Sequence, residues 1–210
     1  MIELYTWATP NGRKVSILLE ELGLDYRVHP IDITADAQMA PEFLAIAPNN
    51  KIPAISDLDT GLNLMESGAI MVYLAEKAGQ FLPEASLERA RVMEWLMWQM
   101  GGFGPILGQA HHFLKFNPGK SEYAEHRFSS EVLRLYGVLD RRLAASDYVA
   151  GQYSIADMAI WPWVSRYEWQ RVDLSKFPYV LAWYQKLLAR PAVQRGYQIP
   201  KNMGDIPDGT

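Results

Sequence analysis

The chain has no cysteine among its 210 residues. Disulfides, thiolate-bound metals and a protein thiol nucleophile are thereby excluded, so any sulfur chemistry has to use a sulfur carried by a ligand. Long apolar runs are missing as well: the longest, Ala69 to Ala75, falls far short of the roughly twenty residues that cross a bilayer. The start, Met1-Ile2-Glu3-Leu4-Tyr5, is strand-like and lacks a charged segment followed by an apolar core. No secretory signal is read there, and a cytoplasmic protein is expected. Nor is there an excess of positive charge. A net charge of −4 presents no broad positive field to phosphates, so neither nucleic acid nor a membrane surface is an expected partner. What is present, 49% hydrophobic and 21% charged residues, suits a folded globular chain with room for two compact units.

Periodicity divides the chain into a mixed part and a helical part. Ile2 to Trp7 reads as a strand, and Pro10 to Leu22 as a helix with Val15, Leu18, Leu19 and Leu22 at helical spacing and Gly23 as its stop. Strands are expected over Tyr26 to Asp32, Ile52 to Asp57 and Leu62 to Met65, with helices over Pro41 to Ala47 and Ser67 to Ala78. The order βαβ-ββα is a small α+β arrangement. Beyond Gly79 the strand patterns vanish, and helices are expected over Leu87 to Phe116, Tyr123 to Ala145, Ile155 to Trp169 and Pro178 to Ala189. The domains are therefore drawn at 1–82 and 87–200, the second all-α. Gly101-Gly102 and Gly104-Pro105 are expected to break or kink the first of its helices. Ser154-Ile155-Ala156-Asp157 matches a capping box, and Asn202 to Thr210 reads as a frayed tail.

The chemistry-bearing residues cluster in the mixed part. Pro53 has no N–H for a ladder and argues against a central strand. If the chain bends there, with Ile52-Pro53 a candidate for the cis bond, the N–H and C=O of Ile52 are left for an extended ligand to pair with. Glu66-Ser67 precedes a helical apolar run, which sets a carboxylate beside a hydroxyl and the first free amides of a helix. That pair suits a zwitterion, although a plain helix start with an acid near its positive end reads the same residues. Thr9-Pro10-Asn11 opens the first helix. Its plain reading is a capped start, and its functional reading is a hydroxyl and an amide aimed at a ligand sulfur.

An ammonium acceptor, carboxylate donors and an open backbone edge together describe a pocket for the γ-glutamyl and cysteinyl parts of glutathione. On Thr9-Pro10-Asn11-Gly12, Asn49-Asn50-Lys51-Ile52-Pro53, Glu66-Ser67 and Gly101-Gly102-Phe103-Gly104-Pro105, the chain resembles the glutathione transferase family. Its nearest likeness is the bacterial nu-class, disulfide-bond reductase type. The resemblance implies a thioredoxin-like first domain, an all-α second domain and a two-fold homodimer. It implies that glutathione binds as co-substrate without a metal, and that its thiolate attacks a small disulfide or electrophile. It places Thr9 and Asn11 at the sulfur, Ile52, Pro53, Glu66 and Ser67 along the peptide, and Gln38 and Lys51 near the glycyl end or the backbone of glutathione. Arg127 of the helical domain is placed across the cleft. Lowering a thiol pKa from about 8.5 to about 6.5 needs roughly 2.7 kcal/mol, within reach of one charge-assisted hydrogen bond and a helix N-terminus.

Several residues keep a plain alternative. Tyr5 is the reserve candidate for the sulfur contact, and a strand aromatic packed in the core is its favoured reading. Gln38, Lys51 and Arg127 are otherwise solvent-facing polar residues. His111-His112 is not read as a metal site, because adjacent helical residues point about 100° apart and no further ligand stands four residues on. The rival to an enzyme is a non-catalytic interaction module on the same fold.

Overall fold

The computed structural model of the protein describes residues 1–84 and 87–209, so part of the expected boundary at Gly79 to Ser86 lies outside the described residues. The first unit begins with β1 (Ile2–Thr6), α1 (Pro10–Leu22), β2 (Tyr26–Pro30) and the short α2 (Pro41–Leu44). It continues through β3 (Ala54–Asp57), β4 (Leu62–Met65) and α3 (Ser67–Ala78). The sheet order is β2-β1-β3-β4. β1 and β2 run parallel because α1 carries the chain back between them, while β3 and β4 form an antiparallel hairpin. This is the thioredoxin-like arrangement expected from the order of elements. Val15, Ile17, Leu18 and Leu19 are fully buried on α1, as are Leu4 and Ile55 of the sheet and Ile70, Met71 and Leu74 of α3. Gly23 closes α1 at φ 62, a conformation that costs a residue without Cβ little. A separate cluster of Phe43, Ala47 and Ala54 gathers Tyr5, Ile31, Ile46, Ile52 and Met65 around it.

The second unit is helical. It runs through α4 (Leu87–Trp98), α5 (Gly104–Ala110), α6 (Glu122–Ala144), α7 (Ile155–Val164) and α8 (Pro178–Leu188). The glycine-rich stretch after α4 does not end the helix: Gln99–Phe103 forms a π turn, with the Gly104 N–H donating to the Gln99 carbonyl. The wider turn lets the chain pass Pro105, which has no N–H to give an α turn. A Cβ on Gly104 would stand 2.4 Å from the Gln99 amide and 3.3 Å from Trp163. The capping box at Ser154 and Asp157 forms as expected, and Asp157 also accepts from Val149 N at 3.1 Å and Trp183 Nε1 at 3.0 Å. Among the described residues, no helix is long and apolar enough to cross a membrane.

The domain drawn at 87–200 differs from the compact units, which place residues 190–206 with the first unit. There α9 (Pro191–Tyr197) lies against α1. A Cβ on Gly196 would stand 2.6 Å from Ile17 Cα, so the two backbones touch where glycine alone leaves space. Ser16 Oγ donates to the Gly196 carbonyl at 2.6 Å, and Arg13 Nε donates to the Tyr197 carbonyl at 3.0 Å with its guanidinium over the Tyr197 ring. Arg190 grips Glu21 with two hydrogen bonds at 2.6 and 2.7 Å. No helix was expected over Pro191–Tyr197, and local periodicity does not tell which distant helix such a segment meets. The tail is also less loose than expected: Tyr184 Oη donates to the Pro207 carbonyl, and Gly209 is buried against Leu181 and Tyr184.

Candidate active site

Sheet register brings the site together. Tyr5 pairs with Ala54, and Ala54 pairs with Met65. The chain leaving β1 toward Thr9, the chain entering β3 through Ile52-Pro53, and the chain leaving β4 at Glu66-Ser67 therefore meet at one end of the sheet. All three belong to the first unit.

At the first of these, Thr9 is extended (φ −110, ψ 163) and caps α1, its Oγ1 accepting from Gly12 N at 3.2 Å. A hydroxyl that accepts still has a proton to donate, so the cap and a sulfur contact are compatible uses of one group. Asn11 stands half-buried in the first turn. A Cβ on Gly12 would lie 2.2 Å from the Trp7 carbonyl and 2.5 Å from Thr6 Oγ1, so glycine holds the loop tight against the helix. Tyr5 is not part of this loop. Its ring is stacked on His29 at 4.7 Å and tilted against Phe43 at 6.3 Å. This packing fits the plain reading of a strand aromatic against the core.

At the second, the Ile52-Pro53 bond is cis and the paired register starts only at Ala54. The expected strand over Ile52 to Asp57 is thus shorter by two residues. Ile52 lies before the ladder with its side chain packed on the Phe43 cluster, and Pro53 is buried. Lys51 is exposed beside it. Asn50 Nδ2 reaches Met39 Sδ at 2.6 Å and ties this turn to the loop of Gln38. Gln38 Nε2 donates to Asp36 Oδ1 at 3.3 Å, while among the described residues its buried Oε1 has no hydrogen-bond partner.

At the third, Glu66 adopts φ 70, ψ 110, a backbone that a residue with a long side chain rarely takes. Such strain persists where the surroundings enforce it, often at binding sites. It leaves the Glu66 side chain exposed and starts α3 at the buried Ser67. Behind Ser67 stands a residue that sequence reasoning missed. Lys14 of α1 is only 1% exposed, and its Nζ lies 3.3 Å from Ser67 Oγ. Burial pushes its pKa down to about 7, against a smaller upward pull from the Glu66 carboxylate. The available signal was a cation one helical turn before the core residue Leu18, on the apolar stripe of α1.

Two further expectations concern the helical unit. Arg127 is exposed on α6 and is not among the groups that the first unit brings together by itself. His111 is buried, stacked on Trp163 with ring centres 5.6 Å apart, and Gln170 Nε2 lies 3.1 Å from its Nε2. Burial, with the Arg166 charge adding to it, pushes its pKa down to about 4. Its imidazole is neutral near pH 7 and accepts from Gln170. Among the described residues, no three acidic or histidine side chains converge to hold a metal ion.

Residues 8–77 match the family model for the glutathione S-transferase N-terminal domain, and residues 103–191 match that for its C-terminal domain. The chain belongs to the glutathione transferase family. This family member is 50% identical over 198 residues to the disulfide-bond oxidoreductase YfcG of Escherichia coli (strain K12), covering 91% of the chain and 92% of that protein. A glutathione transferase from Pseudomonas putida, solved with one glutathione disulfide per subunit, superposes with a TM-score of 0.90 at 46% identity. The match covers 95% of this chain and 91% of that one. A family member from Pseudomonas fluorescens pf-5, solved with two glutathione molecules, gives a TM-score of 0.90 at 44% identity over 95% and 93% of the two chains. For this glutathione transferase, the three loops at one sheet end lie in the domain that the first family model spans.

Proposed function

We propose that this chain is a glutathione-dependent disulfide-bond reductase of the nu-class type with transferase activity, acting in the cytoplasm as a homodimer. The observation that carries the reading is the convergence of Thr9, Ile52-Pro53 and Glu66-Ser67 at one sheet end, in register for an extended γ-glutamyl peptide. The Glu66 carboxylate accepts the peptide's ammonium, and Ser67 with the opening amides of α3 holds its α-carboxylate. Ile52 offers its peptide groups to the cysteinyl unit. Gln38, through its amide oxygen, accepts from a backbone N–H of the peptide, Lys51 takes the glycyl carboxylate through its charge, and Arg127 supplies a cation from the helical unit. Thr9 and Asn11 donate to the sulfur and keep it ionised at neutral pH.

The bound thiolate attacks one sulfur of a substrate disulfide. The electron pair of the broken S–S bond leaves on the other sulfur, which takes up a proton as a free thiol. A second glutathione then attacks the resulting mixed disulfide, releasing glutathione disulfide and the second substrate thiol. With no cysteine in the chain, no protein-bound disulfide enters the sequence. Support also comes from the disulfide-bond oxidoreductase name of the E. coli relative and from the glutathione disulfide in the P. putida structure. The homodimer rests on the family resemblance.

Calorimetric titration with reduced and oxidised glutathione, followed by turnover of a model disulfide, tests the reading. Saturable binding and glutathione-dependent reduction are expected. No binding at millimolar ligand would overturn the enzyme and leave the interaction module in its place.

A further inference from the structure

A buried lysine is seldom kept for stability. A methionine would fill the place of Lys14 without the desolvation cost of an ammonium, and exchanging buried charges for apolar residues is often neutral or stabilising. Lys14 is nevertheless wholly enclosed, at the point where α1 passes the start of α3. Its Nζ lies 3.3 Å from Ser67 Oγ. Below its pKa of about 7 the lysine has three protons and no lone pair, so there Lys14 donates and Ser67 accepts. The serine hydroxyl has one proton, and accepting from behind turns that proton away from Nζ.

We propose that Lys14 is a positioning residue for the α-carboxylate of the γ-glutamyl group, acting through Ser67. This rests on the glutathione-binding reading of the site and adds to it a residue that does not touch the ligand. Lys14 sets Ser67 as a donor toward the carboxylate. It also places positive charge behind the carboxylate end, opposite in sign to the Glu66 carboxylate that takes the ammonium. The two ends of the zwitterion are thereby told apart, and the peptide is held in one direction along the rim with its sulfur toward Thr9. Because Lys14 and Thr9 belong to the same helix, the group that orients the amino-acid head and the group that meets the sulfur are held on one rigid element.

The test compares two ligands on wild type and on Lys14→Met: glutathione, and an analogue with γ-aminobutyrate in place of the γ-glutamyl unit, which lacks only the α-carboxylate. Wild type is expected to prefer glutathione. In Lys14→Met, glutathione affinity is expected to fall about tenfold, the order of one hydrogen bond to a charged group, while affinity for the analogue stays within about twofold. Thiolate absorbance at saturating glutathione is expected to be unchanged, since the sulfur contacts are untouched. Equal losses for both ligands would overturn the positioning role and leave the site reading standing. Failure of folded wild type to bind either ligand would overturn both. If Lys14→Met does not fold, Lys14→Gln carries the same comparison, because it removes the charge and shortens the reach while keeping a polar side chain.

Discussion

Replacing Thr9 by Ala removes two interactions from one hydroxyl, and their sizes can be separated. The first is the cap, in which Oγ1 accepts from Gly12 N at 3.2 Å. Losing an N-cap of this kind costs about 1 kcal/mol. For a chain of this size, that lowers the melting midpoint by about 2 to 4 °C. The second is the proposed donation to the bound thiolate. A hydrogen bond to a charged group contributes about 1.5 to 3 kcal/mol, and one pKa unit corresponds to about 1.4 kcal/mol. The thiol of bound glutathione should therefore titrate about one to two units higher in Thr9→Ala than in wild type. Thermal unfolding reads the first effect in the absence of ligand. Ultraviolet thiolate absorbance against pH, at saturating glutathione, reads the second. Thr9→Ser keeps both hydrogen bonds and should restore both values. A variant that loses its 2 to 4 °C while the bound thiol titrates as in wild type would show that Thr9 only caps α1, and the sulfur assignment would then be withdrawn.

Ser67→Ala should weaken glutathione binding by about 1 to 2 kcal/mol with little change in thiolate absorbance, and an unchanged dissociation constant would count against the γ-glutamyl end of the site. Lys14 should leave a signature in the pH dependence of stability. Its folded pKa lies near 7, below the ordinary 10.5, so between these values the unfolded chain binds more protons and stability rises with pH. The full cost of the buried charge, about 4 to 5 kcal/mol, is present below pH 7 and disappears above the unfolded value. Urea unfolding at pH 6.5 and pH 9.5 should thus show wild type gaining stability relative to Lys14→Met, and identical slopes would refute the burial argument. Gly196→Ala sets a Cβ 2.6 Å from Ile17 Cα, a backbone atom that cannot step aside. It should cost about 2 kcal/mol and expose residues 190–206 to limited proteolysis, whereas a silent substitution would mean that α9 is not held by this contact.

Local chemistry alone determined much of this protein. Thr9 before Pro10, Gly23 after Leu22 and Ser154 three residues before Asp157 mark helix ends through interactions within a few residues, so they can be read from neighbouring letters. The same holds for the chain at the candidate site: Pro53 has no N–H to donate to a ladder, and Glu66-Ser67 opens a helix, whatever lies elsewhere in the fold. Tertiary structure decided the rest, because it depends on partners far apart in the chain. Lys14 acquires its meaning only from Ser67, 53 residues later, and Gly196 only from Ile17, across most of the chain. Tyr5 finds its stacking partner His29 on the neighbouring strand, 24 residues on, which only the register of β1 with β2 brings beside it. The π turn at Gln99–Phe103 shows the limit most directly. Glycine and proline propensity argued for a break or kink there, and packing of Gly104 against Gln99 and Trp163 accompanies a π turn that lets the helix continue.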